Sequence, residues 1–245
     1  MRGKLKRAVA AALSSHPELE GWVRRVYCAL GLGTRTDQDF LFAFARKHRD
    51  VFVLQVGAND GLIGDPIHRF VMKYRWKGLL LEPMPDFFAS LQKNYQDREG
   101  LILYNGAMSD RDGTMTFYRV SAGEALPYWC NRLCSFSLDA ILCHKPTFPD
   151  IEKYVIEQIV QTATFNTLVE RFGISRIDLV VIDAEGYDYE ILKQIDLQRF
   201  RPGLVIYEHN HLEDSAKEAS IKLLDKAGYD VHKASNMNLA AVRRR

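Results

Sequence analysis

The stretch VLQVGANDGLIG, from Val53 to Gly64, leads an apolar run directly into a turn that contains Gly57 and Gly61. Glycine lets the backbone bend sharply and lets another group approach it closely. In an open α/β sheet, a turn of this kind presents backbone N–H groups to a ligand beyond the carboxyl end of the strand. The stretch therefore predicts a ligand-binding turn after the first strand of a sheet, with an ordinary tight turn as the alternative.

The next apolar run, LLLEP, ends in Glu82 about 20 residues after Gly61, where a carboxylate can accept both hydroxyls of a ribose. The turn lacks the middle glycine of the dinucleotide pattern G-x-G-x-x-G, because Asn59 replaces it. This weighs against a pyrophosphate close to the turn. It favours a smaller ligand with an amino-acid end, although Glu82 as a solvated strand end stays the alternative.

Short apolar runs and amphipathic stretches alternate from residue 51 onward, as a parallel sheet covered on both faces requires. The apolar runs are VFVLQV, GLLLE, LILYNGAM, DLVVIDAE and GLVIYEH. Residues 1–48 have helical spacing and predict a helical N-terminal cap on a ligand-binding domain of residues 49–245. Residues 121–158 are aromatic and weakly periodic, so we expect a lid-like insert there.

Composition favours a globular protein in the cytoplasm. The 245 residues are 47% hydrophobic, and 33 Lys and Arg balance 31 Asp and Glu to a net charge of +2, which disfavours a nucleic-acid partner. No apolar run approaches the roughly 18 residues of a membrane span, and the AVAAAL run is too short for a secretory signal. We expect the four cysteines to be reduced. A homo-oligomer stays open.

Acidic and histidine side chains follow two further apolar runs. VVIDAEG contains Asp183 and, just after it, Glu185, and LVIYEHNH ends in Glu208, His209, Asn210 and His211. In a parallel sheet these ends share one edge with the glycine turn. Two interpretations remain open: Asp183, Glu208 and His209 hold Mg²⁺ or another divalent ion, or His209 or Asp183 takes a proton directly. Helix capping is the alternative for Asp183 and Glu185.

For several other residues the sequence favours a structural role over a functional one. We expect His211 to be a solvated loop histidine, and Asp188 to lie on a helix surface. The series Cys130, Cys134, Cys143 and His144 fits no common zinc spacing, so packing or loop cysteines are favoured. The basic start, with Lys4, Lys6 and Arg7, predicts a solvated helix or a dimer contact, with weak contact to an anionic membrane surface as the alternative.

The segments VGANDG, LLLEP, NGAMSDRDGTMTFY, DLVVIDAEGYDYEIL and IYEH resemble, in this order, the FkbM family of S-adenosylmethionine-dependent methyltransferases. The resemblance covers about residues 51–210. It implies the class I methyltransferase fold, a Rossmann-like, mostly parallel sheet of seven strands with the last antiparallel. It also implies that Gly57, Asn59 and Gly61 face the methionine end of the cofactor, Glu82 the ribose and residues 105–107 the adenine. Gln55 departs from the family, which usually has an acidic residue there, so Asp60 is a candidate to orient the ligand's ammonium group instead.

The sequence therefore predicts an O-methyltransferase that uses S-adenosylmethionine on a hydroxyl of a sugar, a glycan or a secondary metabolite. The alternatives are an NAD-dependent oxidoreductase and a catalytically silent cofactor-binding module. The predicted catalytic residues are Asp183, Glu185 and His209. The predicted cofactor-binding residues are Gln55, Gly57, Asn59, Asp60, Gly61, Glu82, Pro83, Asn105, Ala107 and Asp183.

Overall fold

The structure, a computed structural model, describes residues 35–245. The helices predicted before residue 35, with the basic start at Lys4, Lys6 and Arg7, lie outside the described residues. Among the helices of residues 35–245, none has the length and apolar character needed to cross a membrane.

Seven strands form the central sheet, and helices connect most of them. The strands are β1 (Phe52–Val56), β2 (Lys77–Leu81), β3 (Leu101–Tyr104), β8 (Leu179–Ile182), β9 (Leu204–Glu208), β10 (Tyr229–Lys233) and β11 (Asn238–Arg243). The helices are α1 (Asp37–Lys47), α2 (His68–Tyr74), α3 (Pro85–Asn94), α4 (Leu138–Leu142), α5 (Phe165–Arg171), α6 (Asp188–Gln194) and α7 (Asp214–Lys226). The remaining strands are β4 (Ala107–Met108), β5 (Gly113–Val120), β6 (Cys134–Ser135) and β7 (Val155–Ala163).

The order of the central sheet is β10-β11-β9-β8-β1-β2-β3. All neighbours from β9 to β3 are parallel, while β11 runs antiparallel to both β9 and β10. This is the predicted seven-stranded, mostly parallel sheet with the last strand antiparallel. An all-parallel dinucleotide-binding sheet has no such inserted strand. The strand order therefore confirms the predicted fold class.

A second sheet, of order β4-β7-β5-β6, lies over the carboxyl edge of the first and was not predicted. The run LILYNGAM was expected to be one strand, but it divides into β3 in the central sheet and β4 in the second. Residues 155–158 were assigned to the weakly periodic insert, whereas they begin β7, whose residues 155–162 pair with β5. The insert between β5 and β7 is therefore residues 121–154, which include the short strand β6 and the short helix α4.

Helix α1 packs on one face of the central sheet. Its first turn begins at a capping box in which Asp39 accepts hydrogen bonds from the N–H and the hydroxyl of Thr36. Phe40, Leu41 and Phe44 follow at helical spacing and are buried with Val53 of β1 in one apolar cluster. The described end of the predicted N-terminal cap thus shares its core with the sheet.

The glycine turn after β1 is fixed by its two neighbouring strands. The N–H groups of Gly57 and Ala58 donate to the carbonyl oxygen of Leu81 at the end of β2, and the Asp183 N–H after β8 donates to Val56. Gly57 has a φ of 81°, and a Cβ there would overlap the carbonyl oxygen of Asp183. Only glycine allows the main chains to come this close, so β1 and β8 end side by side at the ligand edge.

We expect Gly57→Ala to destabilise the fold by more than about 3 kcal/mol, because it adds both a left-handed strain and a main-chain overlap. Gly64→Ala is the matched control. Gly64 also has a positive φ, of 76°, but a Cβ there meets no atom within 4 Å, so its cost is about 1–2 kcal/mol. Urea unfolding followed by circular dichroism measures both. Equal losses in the two variants would contradict the packing role of Gly57.

Candidate active site

A cavity of about 340 Å³ opens between the carboxyl edge of the central sheet and the second sheet. This volume lies within the range of about 300–1,000 Å³ that is usual for small-molecule sites. Of the predicted site residues, eight line it: Gln55, Gly57, Asn59, Glu82, Pro83, Ala107, Asp183 and Glu185. The second sheet and the insert add Phe117, Trp129, Arg132, Cys134 and Phe136. The aromatic character of the insert pointed to Trp129 and Phe136 as candidates for stacking on an acceptor, whereas Phe117, Arg132 and Cys134 were not expected there.

Glu82 ties the end of β2 to the glycine turn. Glu82 is 3% exposed, and its two carboxylate oxygens accept hydrogen bonds from the Asn59 and Met84 N–H groups, each at 2.8 Å. A carboxylate has about four acceptor positions, so each oxygen keeps capacity for a ligand hydroxyl. Asn59 has a left-handed φ of 50°, which directs its N–H toward Glu82. Asn105 lies just outside the lining and donates to the Glu82 carbonyl at 2.9 Å.

Gln55 is held in one orientation by Asp65, a residue that the sequence analysis did not single out. The Gln55 Nε2 donates to Asp65 Oδ1 at 3.2 Å, which leaves the Gln55 Oε1 buried and without a hydrogen-bond partner among the described residues. Asp65 also accepts from the Ile67 N–H and from the Tyr95 hydroxyl. Both Gln55 and Asp65 line the cavity, so an oriented acceptor with a carboxylate behind it stands where the family usually has an acid.

Asp60 and Gly61 shape the turn without lining the cavity. The Asp60 Oδ1 accepts the N–H groups of Leu62 and Ile63 at 2.9 Å each and lies 3.5 Å from Arg132. Gly61 packs against Tyr95, where a side chain would have no space. Arg132 also donates to the Ile63 carbonyl at 2.7 Å, which fastens the insert to this turn. Asp65, rather than Asp60, is therefore the carboxylate that faces Gln55.

The DAEG turn after β8 is braced by Asp188. Its oxygens accept the N–H groups of Ala184, Gly186 and Glu208 at 3.2–3.4 Å, which links the turn to β9. Asp188 is fully buried, so its predicted place on a helix surface is wrong. No side-chain cap begins α6, so helix capping does not account for Glu185. Glu185 instead has a left-handed φ of 47°, a strained conformation of the kind often found at functional sites.

The side chains beyond β9 differ from the predicted arrangement. His211, expected to be solvated, has a side chain only 6% exposed, and its Nε2 lies 3.3 Å from Glu185 and 3.8 Å from Glu208. His209 turns away, and its Nδ1 contacts the Met237 carbonyl at 2.6 Å. Among the described residues, Glu185, Glu208 and His211 form a group with metal-ligand spacing. The predicted set of Asp183, Glu208 and His209 is not such a group.

Burial controls the protonation of these carboxyl groups. It raises the pKa of Glu82 to about 7, of Asp183 to about 6 and of Asp188 to about 7. Burial, followed by repulsion from neighbouring carboxylates, raises the pKa of Glu185 well above its usual range and that of Glu208 to about 10. Glu185 and Glu208 are therefore held in the neutral form near pH 7, and a bound cation would favour their charged form.

Among the described residues, Cys130, Cys134, Cys143 and His144 do not form one group with metal-ligand spacing. Cys130 is buried in the apolar core of the insert, which agrees with the packing interpretation. Cys143 and His144 lie instead beside His211, with the Cys143 Sγ 3.5 Å from its Nδ1. Helix α4 of the insert ends just before Cys143, so the insert lies against the group of Glu185, Glu208 and His211.

Glu82 makes the stability of the fold depend on pH. Because its folded-state pKa of about 7 is above the ordinary 4.5, the folded protein binds this proton more tightly than the unfolded chain. The resulting stabilisation is present below the ordinary pKa and is lost as pH rises through the folded one. We expect the parent, relative to Glu82→Gln, to lose about 3 kcal/mol of unfolding free energy between about pH 5 and about pH 8. Urea titrations of both proteins test this, and parallel pH dependences would contradict it.

Comparison with known proteins adds the family. A model of the methyltransferase FkbM domain matches residues 55–231, more than half of the chain, whereas no curated protein matches it. An FkbM methyltransferase structure from Methylobacillus flagellatus KT is similar at 12% identity and a TM-score of 0.47, over 78% of this chain and 43% of that one. The structure of Aeropyrum pernix fibrillarin with natively bound S-adenosyl-L-methionine is similar at 12% identity and a TM-score of 0.41, over 80% of this chain and 67% of that one. By the match of its domain model, the chain belongs to the FkbM family of S-adenosylmethionine-dependent methyltransferases.

Proposed function

We propose that this protein transfers the methyl group of S-adenosylmethionine to a hydroxyl of a sugar, a glycan or a secondary metabolite. One observation carries the proposal: a single cavity has the glycine turn and Glu82 on one side and the carboxyl groups of Asp183 and Glu185 on the other. The first side suits the cofactor, and on the second Asp183 offers a proton acceptor to a neutral alcohol while Glu185 offers it a hydrogen bond. Aromatic side chains of the insert, Trp129 and Phe136, supply surfaces on which an acceptor could stack.

In this proposal the cofactor lies across the ends of β1 and β2. The methionine end lies against Gly57 and Asn59 of the glycine turn, whose shape Gly61 fixes from outside the cavity, and the ribose hydroxyls bind the free acceptor positions of Glu82. The adenine lies toward Pro83 and residues 105–107. The Gln55 Oε1 accepts from the ammonium group, which would satisfy its missing hydrogen bond. Asp65 supplies the negative charge that Gln55 lacks.

Methyl transfer is an in-line displacement, so positioning of the three reacting atoms is the larger part of the work. The acceptor oxygen forms a bond to the methyl carbon as the bond from sulfur breaks, which leaves S-adenosylhomocysteine. The hydroxyl proton passes to Asp183, whose raised pKa of about 6 brings it nearer to the working pH of a general base. Glu185 binds the acceptor beside it. His209 does not line the cavity, so we assign the proton to Asp183 rather than to His209.

A transfer assay tests the type of acceptor. Purified protein is incubated with methyl-labelled S-adenosylmethionine and matched panels of sugars, phenols and amines, and label in the product is measured by mass spectrometry. Transfer to a hydroxyl is expected, and Asp183→Asn should reduce turnover by about 100-fold or more while S-adenosylhomocysteine still binds. Transfer only to amines would contradict O-methylation. Cofactor binding without transfer to any member of the panel would favour the silent module.

The role of Asp65 predicts a difference between two ligands. Asp65→Asn frees the Gln55 amide to turn and removes the charge behind it, so affinity for S-adenosylhomocysteine should fall by about tenfold. Methylthioadenosine lacks the amino-acid end and should bind both proteins equally. Tyr95→Phe is the matched control, because it removes a donor to Asp65 and keeps the charge. Calorimetry measures all three proteins, and an equal loss for both ligands would contradict the assigned role.

A further inference from the structure

Three side chains meet beyond the cavity, where the ends of β8 and β9 are covered by the insert. Glu185 comes from the DAEG turn, Glu208 ends β9, and His211 follows it in the next loop. One carboxylate oxygen from each glutamate and one ring nitrogen of His211 all lie within 4.8 Å of one another. Glu185 also lines the cavity, so this group adjoins the place where we put the acceptor.

The spacing of these atoms suits a common ion. The His211 Nε2 is 3.3 Å from Glu185 Oε2 and 3.8 Å from Glu208 Oε1. Two ligand atoms on one ion, each bonded at about 2.1 Å, are separated by about 3.0–3.5 Å in octahedral and tetrahedral sites. A small movement of Glu208 toward His211 would bring that distance into the range, and all three atoms already lie within 4.8 Å of one another.

Glu208 supplies an independent sign that something is missing from this group. Its side chain is 4% exposed, and its Oε2 has no hydrogen-bond partner among residues 35–245. A buried carboxylate oxygen without a donor is costly. The other oxygen of this carboxyl group, Oε1, lies 3.8 Å from the His211 Nε2, so the unpartnered Oε2 is part of the same three-residue group. A cation bound there would satisfy it.

The other nitrogen of His211 is already oriented. Its Nδ1 lies 3.5 Å from the Cys143 Sγ, which leaves the Nε2 for the carboxylates. A partner on the second ring nitrogen is the usual way in which a metal-binding histidine is held. Cys143, His144 and His211 form an overlapping group with ligand spacing. Cys143 is exposed, however, and the Nε2 of His211 faces the glutamates.

We propose that Glu185, Glu208 and the Nε2 of His211 bind one divalent transition-metal ion of the zinc or manganese kind. A mixed set of imidazole and carboxylates suits these ions, whereas Mg²⁺ prefers oxygen ligands and water. The site replaces the set of Asp183, Glu208 and His209 that the sequence indicated. If the ion also contacts the acceptor hydroxyl and lowers its pKa, that catalytic part rests on the proposed function. Metal binding itself does not.

The test uses Co²⁺, whose visible absorption reports its ligands and which zinc sites accept. The full chain is dialysed against a chelator, titrated with Co²⁺ and then with Zn²⁺. We expect one equivalent of Co²⁺ per chain, displaced by Zn²⁺. Binding should weaken by at least about tenfold in Glu208→Gln, which keeps the side-chain shape, and in His211→Ala. His209→Ala should bind as the parent does, and far-UV circular dichroism checks that each variant is folded.

Several results would overturn the proposal. These are no saturable absorption in the parent, unchanged binding in a folded Glu208→Gln, or loss of binding in Cys143→Ser with retention in Glu208→Gln. The last result would assign the ion to the group with Cys143 and His144. Titration of the chelated parent with S-adenosylhomocysteine separates this question from the proposed function. Metal binding without cofactor binding would count against the methyltransferase activity alone.

Discussion

The close approach of two main chains, at Gly57 and Asp183, positions every other part of the candidate site. The absence of a side chain at Gly57 lets β1 and β8 end side by side, and hydrogen bonds from the turn to Leu81 bring the end of β2 to the same edge. Glu82, which continues β2, then lies within reach of the Asn59 N–H. Backbone contacts thus fix the edge of the cavity, and the side chains that line it determine which ligand it can bind.

A second constraint is the cost of burying so many carboxyl groups at one edge. Asp188 is stabilised by three backbone N–H groups and holds the DAEG turn against β9. Glu82 is stabilised by two. Glu208 has an oxygen with no donor among the described residues, so it is the carboxyl group that burial penalises most directly. Hydrogen bonding therefore separates two kinds of buried carboxyl group. Asp188 and Glu82 accept backbone N–H groups and stabilise the fold, whereas the unpartnered oxygen of Glu208 is available to a ligand.

The sequence predicted the parts of the structure that periodicity and local turn chemistry determine. The apolar runs predicted the parallel strands, and the residues just after them, Gly57, Glu82 and Asp183, line the cavity as expected. The β7 strand was missed because exposed and buried residues do not alternate regularly in its first half. His211 was misjudged because the insert that buries it is distant in sequence. Asp65 was missed because the loop that directs it toward Gln55 has no periodic pattern.

We expect S-adenosylmethionine to bind at this edge of the sheet, and calorimetric titration of the purified protein with S-adenosylhomocysteine and, separately, with NAD⁺ measures that binding. Saturable, micromolar binding of S-adenosylhomocysteine with no heat from NAD⁺ is the predicted result. Binding of NAD⁺ alone would contradict the account and assign the glycine turn to a dinucleotide.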